Sequence, residues 1–302
     1  MPPTPVHMTT PDIKSARRRA ILAILLAALL FAGAAACVKA LGGEVPLAQI
    51  VLFRSAFALP VLLPMLRTAG GWKALRTTRP GGHALRLVFG FAGMAGAFYG
   101  YAHLPLATVT ALGFTMPLFL ALLAVPLLGE RLEAARGLAA LVGFGGVLLM
   151  VRPGAGGDGW AMLVVLGAAL AWALAMITIR RMGARGESGV SIVLWFSFGS
   201  TLVALLWSLP GWVWPTPTQW LLLAVIGGVS AFAQILMTEA YRVAEPTVVA
   251  PFEYSGIVWT TALGALIWAE APDGWDAMGI LLLVGAGLAL WRREAMAAGL
   301  KR

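Results

Sequence analysis

Two ionisable residues stand where the surrounding sequence is otherwise apolar: Glu253, in Ala250-Pro-Phe-Glu-Tyr254, and Arg54, in Ile50-Val-Leu-Phe-Arg-Ser55. A charge held inside a membrane-length apolar run costs roughly 2.5–3.5 kcal/mol to insert, so it faces a cavity or a partner rather than lipid. A carboxylate so placed can bind a cationic substrate or carry a coupling proton; the other reading is a helix-pairing carboxylate neutralised by an internal arginine. Arg54 cannot shed its proton and needs an acceptor inside the bundle, and Glu253 is one candidate. Packing against a carboxylate or backbone carbonyls accounts for Arg54 equally well. Tyr99, Tyr101, Trp172, Tyr254 and Trp259 are the aromatic residues inside apolar runs that could wall a cavity for a planar or cationic compound, Tyr101 also suiting an interfacial belt. The alternative is an interfacial belt, which is expected of Trp212, Trp214, Trp220 and Trp291.

Pro117 and Pro251 each remove a backbone donor and kink the helix that holds them, which makes them candidate hinges. Lys39, close to the end of the first apolar run, is expected to snorkel to the interface. Cys37 is the single cysteine, no Cys/His spacing would hold a metal, and no cofactor is expected. Nothing suggests an enzyme either. Gly228-Val-Ser230 has no histidine base in another apolar run, and Asp158 lies in a loop.

These residues must be positioned by membrane helices. Of 302 residues, 60% are hydrophobic and 12% charged, against roughly 25% charged in a soluble globular chain. The apolar residues fall into stretches of about 20, the length that spans ~30 Å of hydrocarbon. Between charge clusters and Pro/Gly turns the sequence predicts ten transmembrane helices near 20–41, 45–66, 83–102, 106–128, 133–151, 159–181, 189–209, 217–241, 244–268 and 275–292. Alternate loops carry the basic residues, among them Arg17 to Arg19, Arg67, Arg76, Arg79, Arg180, Arg181, Arg185, Arg292 and Arg293, while the opposite set offers little beyond Arg152. That bias places both termini in the cytoplasm of a multi-pass inner-membrane protein. It also explains the net charge of +9 without a nucleic-acid partner.

The two halves repeat. Tyr101-Ala-His-Leu-Pro-Leu-Ala-Thr108 aligns with Tyr241-Arg-Val-Ala-Glu-Pro-Thr-Val248, and the same ungapped register pairs Glu130 with Glu270 and Arg152 with Arg292. Residues 1–19 read as a disordered cytoplasmic tail, 20–153 as the first five-helix repeat, 154–293 as the second, and 294–302 as a second cytoplasmic tail. Five is odd, so the second repeat enters the membrane inverted. Secondary transporters use that construction for alternating access, with the site near the midplane between halves.

Phe53-Arg54-Ser55, Gly113-Phe-Thr-Met-Pro-Leu-Phe119, Leu128-Gly-Glu130, Val142-Gly-Phe-Gly-Gly-Val-Leu-Leu-Met-Val-Arg-Pro153 and Ala250-Pro-Phe-Glu-Tyr254, in this order, resemble the ten-helix EamA-type members of the drug/metabolite transporter superfamily. His83-Ala-Leu-Arg86 with Arg54 is similar to a branch that includes S-adenosylmethionine uptake, riboflavin, and amino-acid or metallophore carriers. Glu253 departs from that pattern, standing where a basic residue is found in the uptake carriers. The resemblance implies a secondary-active carrier of a small organic metabolite, amino-acid-like, cationic or heteroaromatic. An amino-acid or metallophore exporter is the alternative, and an intramembrane enzyme a remote one. A nucleotide-driven pump is excluded, since no phosphate-binding Gly-x-x-x-x-Gly-Lys-[Ser/Thr] run exists. Expected partners are the small-molecule substrate and membrane lipid, with proton or exchange coupling and a homodimer as further expectations.

Overall fold

The computed structural model describes residues 10–68, 71–77, 79–128, 134–151, 158–183, 185–243 and 252–299. The described residues build an all-α bundle of ten spans. The first five are Thr10–Leu41, Leu47–Thr68, Pro80–His103, a fourth made of Leu106–Gly113 and Met116–Leu128, and Ala134–Val151. The second five are Gly159–Gly183, Gly189–Ser208, Pro217–Val243, Ser255–Trp268 and Gly274–Gly299.

Two boundaries differ from the sequence reading. The first helix is already formed at Thr10, the first described residue, rather than near residue 20, and Thr10-Pro-Asp12 is a sequence suited to a first helical turn. The last helix continues to Gly299, past the boundary at 293. Five segments are long and apolar enough to cross a membrane on that ground alone: Arg18–Leu41, Leu47–Arg67, Gly159–Gly183, Gly189–Gly211 and Pro217–Met237. The third span is long enough, but it carries His83, Arg86 and His103, and the fourth is interrupted.

The packing has the symmetry that the repeat demands. If each span is exchanged with the span five places on, the third-against-sixth contact becomes eighth-against-first, and fourth-against-sixth becomes ninth-against-first. Second-against-seventh, fourth-against-ninth and fifth-against-tenth map onto themselves, so they lie across the pseudo-twofold axis. The fold is therefore two inverted five-helix repeats. Tight crossings need small residues. At Gly96 in the third span an added Cβ would sit 2.8 Å from the Ala168 side chain of the sixth, so the two backbones meet there with nothing larger between them.

Large apolar side chains cover the outside of the bundle: Leu141, Leu163, Leu206, Val258 and Leu266 are all exposed. In water such a surface would aggregate, whereas in hydrocarbon it is the solvated face. Trp72, Trp160, Trp214 and Trp275 are exposed at span ends, the depth at which tryptophan anchors a membrane helix.

Candidate functional site

The fourth and ninth spans are both broken near the axis. In the fourth, helix stops at Gly113, turns through Phe114 and Thr115, and resumes at Met116. Pro117 is the cause: it has no N–H to give to the Gly113 carbonyl, and its ring would collide with that carbonyl in a continuous helix. The Thr115 hydroxyl compensates by donating to the Leu112 carbonyl at 2.6 Å. In the ninth, Phe252 and Glu253 are helical, Tyr254 turns, and Ser255 begins the main helix while its hydroxyl donates to the Phe252 carbonyl at 2.6 Å. The register that pairs Glu130 with Glu270 pairs Thr115 with Ser255 and Phe114 with Tyr254. The two breaks are equivalent. Pro251 lies outside the described residues.

At the crossing, the Phe114 and Tyr254 rings lie 4.6 Å apart at 32°. Tyr254 extends its hydroxyl over Gly287 of the tenth span, where any Cβ would collide with it. Glu253, the preceding residue, lines a cavity of about 200 Å³. Phe31 of the first span, Tyr101 of the third, Thr110 and Phe114 of the fourth, and Thr260 of the ninth also line it. Ile24 and Met237 line its side nearer the chain termini. Glu253 stands roughly 22 Å from the Trp268 end of its span at 1.5 Å per residue. A carboxylate among three aromatic rings and three hydroxyl-bearing side chains suits a cationic group carried on an apolar or aromatic body.

The other residues singled out in the sequence do not line this cavity. Tyr99 stacks on His103, with centroids 4.0 Å apart, and packs on the Leu104, Val109 and Val165 core. Trp172 is 37% exposed and lies along Gly93, on the outside of the contact between the third and sixth spans. Trp259 buries its indole N–H with no acceptor among the described residues. Arg54 places its backbone carbonyl against Gly227 of the eighth span. Tyr101 is the one cavity aromatic that the sequence offered; Phe31 and Phe114 were not singled out for this role, although Phe114 could have been found as the repeat mate of Tyr254.

Lys39 does not snorkel. At the end of the bundle away from the termini its ammonium lies 2.8 Å from a Glu270 carboxylate oxygen, donates to the Leu104 carbonyl at 2.9 Å and faces the Trp268 ring at 5.6 Å. Ala269 sets this up by taking a left-handed conformation, φ 56°, at the end of the ninth helix. That costs a non-glycine residue about 1–2 kcal/mol, and it lets the Glu270 N–H close back on the Gly264 carbonyl at 3.0 Å. The Lys39 pair thus ties the first repeat to the second. Thr260 lines both the Glu253 cavity and a small void beneath Glu270, so the latch stands directly beyond the cavity. At the opposite end Arg181 of the sixth span donates to the Leu127 carbonyl at the end of the fourth, which repeats the first-to-ninth arrangement under the symmetry. Glu130, the counterpart of Glu270, lies outside the described residues.

The EamA-like transporter family matches residues 18–152 and 159–291. The chain belongs to this family. The chain is 35% identical over 281 residues to the pseudopaline exporter CntI of Pseudomonas aeruginosa, a match covering 91% of this chain and 96% of that protein. It is 29% identical over 250 residues to an S-adenosylmethionine uptake transporter of Rickettsia prowazekii, covering 83% of this chain and 84% of that one. A riboflavin transporter of Vibrio cholerae is 31% identical over 253 residues, covering 82% of this chain and 85% of that protein. One solved crystal structure, 23% identical, shares the fold with a TM-score of 0.63 over 91% of this chain and 98% of its own. This EamA-like protein is a multi-pass membrane transporter of small metabolites.

Proposed function

We propose that the chain is a secondary-active carrier of a small amino-acid-like or heteroaromatic cation, of the S-adenosylmethionine kind, across a bacterial inner membrane. The observation that carries this reading is Glu253 lining a cavity walled by Phe31, Tyr101 and Phe114. Glu253 binds the cation or exchanges a proton for it, and Tyr254 holds Phe114 in place from behind. Arg54, Tyr99, Trp172 and Trp259 are not given a part in cation binding in this state.

The basic loops set both termini in the cytoplasm, so the cavity lies on the cytoplasmic side of a closed outer latch, Lys39 with Glu270. Transport alternates this latch with the inner contact of Arg181, as the two broken spans rock about the Phe114 and Tyr254 crossing. Coupling is by protons or by exchange. A second reading, export of an amino acid or metallophore, is favoured by the 35% identity to the pseudopaline exporter over 91% of the chain.

Untargeted metabolite profiling of cells lacking or overproducing the protein names the compound, and its uptake into everted and right-side-out vesicles gives the direction. A cationic compound should change most. Profiles that do not differ, with no flux of any candidate in either vesicle type, would remove the transport assignment. Orientation has its own check: reporter fusions after Arg79 and Arg185 should read cytoplasmic, and fusions after Gly43 and Pro215 should read external. A cytoplasmic signal at Pro215 contradicts the proposed topology.

A further inference from the structure

A second charged region lies where the second, third and seventh spans meet. Phe53 of the second span, Phe91 of the third and Phe196 of the seventh pack in one cluster around Val51, Leu52 and Met94. Arg86 of the third span bends over Gly90 and lays its guanidinium on the Phe196 ring, 4.0 Å from the centroid. Its Nε and Nη1 atoms are sealed from solvent with no hydrogen-bond acceptor. Arg54, three residues after Val51 and four before Ala58, shares the face of the second span that packs on the seventh, and its like charge bears on Arg86.

Two neutral donors fall on the helix faces of that cluster by their spacing: Ser55 is three residues beyond Leu52, and Ser200 is four residues before Ala204. Ser55 and Ser200 are fully buried, and neither hydroxyl has a partner. Among the described residues no carboxylate stands within ion-pair distance of Arg54 or Arg86. Glu187 is turned elsewhere: it lies 3.5 Å from His83 Nε2 and accepts from the Thr77 hydroxyl at 2.6 Å.

Two half-buried cations of like charge, beside unused donors, are stabilised by an anion between them. Phe196 covers one face of the Arg86 guanidinium, which leaves its in-plane N–H edge to offer. That edge matches a flat carboxylate, bound through two parallel hydrogen bonds, better than a tetrahedral oxyanion. Arg86 stands in the second turn of the third span, but its guanidinium reaches inward over Gly90 and two of its nitrogens are sealed from solvent, which argues against a lipid phosphate.

We propose that Arg86 and Arg54, with the Ser55 and Ser200 hydroxyls, form an anion site between the second, third and seventh spans that takes the carboxylate of the transported compound. The identity of the carboxylate's carrier rests on the transport reading above; the site itself does not. A compound with a cationic and a carboxylate end would meet Glu253 and this site in turn as it crosses.

The test measures the melting temperature of the detergent-purified full chain at constant ionic strength, against acetate, chloride, inorganic phosphate, L-lysine, and cadaverine, which is lysine without its carboxylate. Acetate and L-lysine should raise it saturably, with chloride and phosphate giving much less. In Glu253→Gln the L-lysine effect should persist while cadaverine does nothing, which separates this site from the cation cavity. Arg86→Gln should weaken the half-saturating acetate concentration by about tenfold or more, as expected for loss of a bidentate charged contact, and Arg86→Lys by less. Should Arg86→Gln not fold, Arg54→Gln and the comparison of acetate with chloride on the unmodified chain still decide. Chloride or phosphate matching acetate overturns the proposal, and so does an acetate effect unchanged in both Arg54→Gln and Arg86→Gln. An acetate effect that persists in a protein showing no flux in vesicles would remove the transport reading and leave the site standing.

Discussion

Glu253→Gln should abolish uphill accumulation and leave the protein in the membrane at normal amount. The substitution keeps the side-chain volume and removes both the charge and the titratable proton, so the cavity keeps its shape and Phe114 keeps its stacking on Tyr254. Two roles for the carboxylate then separate in one pair of assays. If Glu253 carries the coupling proton, exchange of internal for external substrate continues at near-normal affinity while net accumulation stops, because exchange never returns an empty carrier. If it binds the cation, affinity falls in both assays by the 1.5–3 kcal/mol of a charge-assisted hydrogen bond, or roughly 10–150-fold. Affinity and accumulation both unchanged would make Glu253 a packing residue and remove the proposed site.

The break in the fourth span was legible because a local rule produces it. Pro117 cannot bond to Gly113, and the chain interrupts at that carbonyl. The pairing of Phe114 with Tyr254 was legible in a different way, through an internal register that makes them symmetry mates, and mates in contact lie beside the twofold axis. Trp172 shows where such reading stops. Its residue type fits a cavity wall, yet the face it presents depends on Gly93 and Gly96 admitting the sixth span so closely that its ring falls outside the contact. Lys39 shows the same limit. Its sequence neighbours are apolar and its partner is remote in the chain, and only the left-handed turn at Ala269 carries Glu270 back to it. The repeat set Glu270 opposite Glu130, but without a cation on the neighbouring span the pair had no visible purpose.

Removing one half of that latch should do more damage than removing both. In Lys39→Met, Glu270 keeps a charge in a site where its side chain is only 25% exposed and where its second oxygen already lacks a hydrogen-bond partner. A wholly buried pair broken from one side costs about 3–5 kcal/mol; partial exposure here lowers that to about 1–3 kcal/mol after screening. The cost is borne by the state in which the outer end is closed, so the population shifts toward outer opening by about 5–150-fold. Thr260 reports it, because it lines both the cavity and the void under the latch. With Cys37→Ala as background, Thr260→Cys should react with an impermeant thiol reagent added outside at least tenfold faster in Lys39→Met, in proportion to that shift. Lys39→Met with Glu270→Gln should lie between that variant and the unmodified latch, since no lone charge remains. The exchanged pair, Lys39→Glu with Glu270→Lys, should rescue only in part, because a carboxylate at position 39 meets the Leu104 carbonyl and the Trp268 ring that the ammonium now contacts. Cysteines at 39 and 270 should cross-link on oxidation and stop transport until reduced. Labelling of Thr260→Cys that does not respond to Lys39→Met, together with transport that continues through the cross-link, would show that the outer end opens elsewhere.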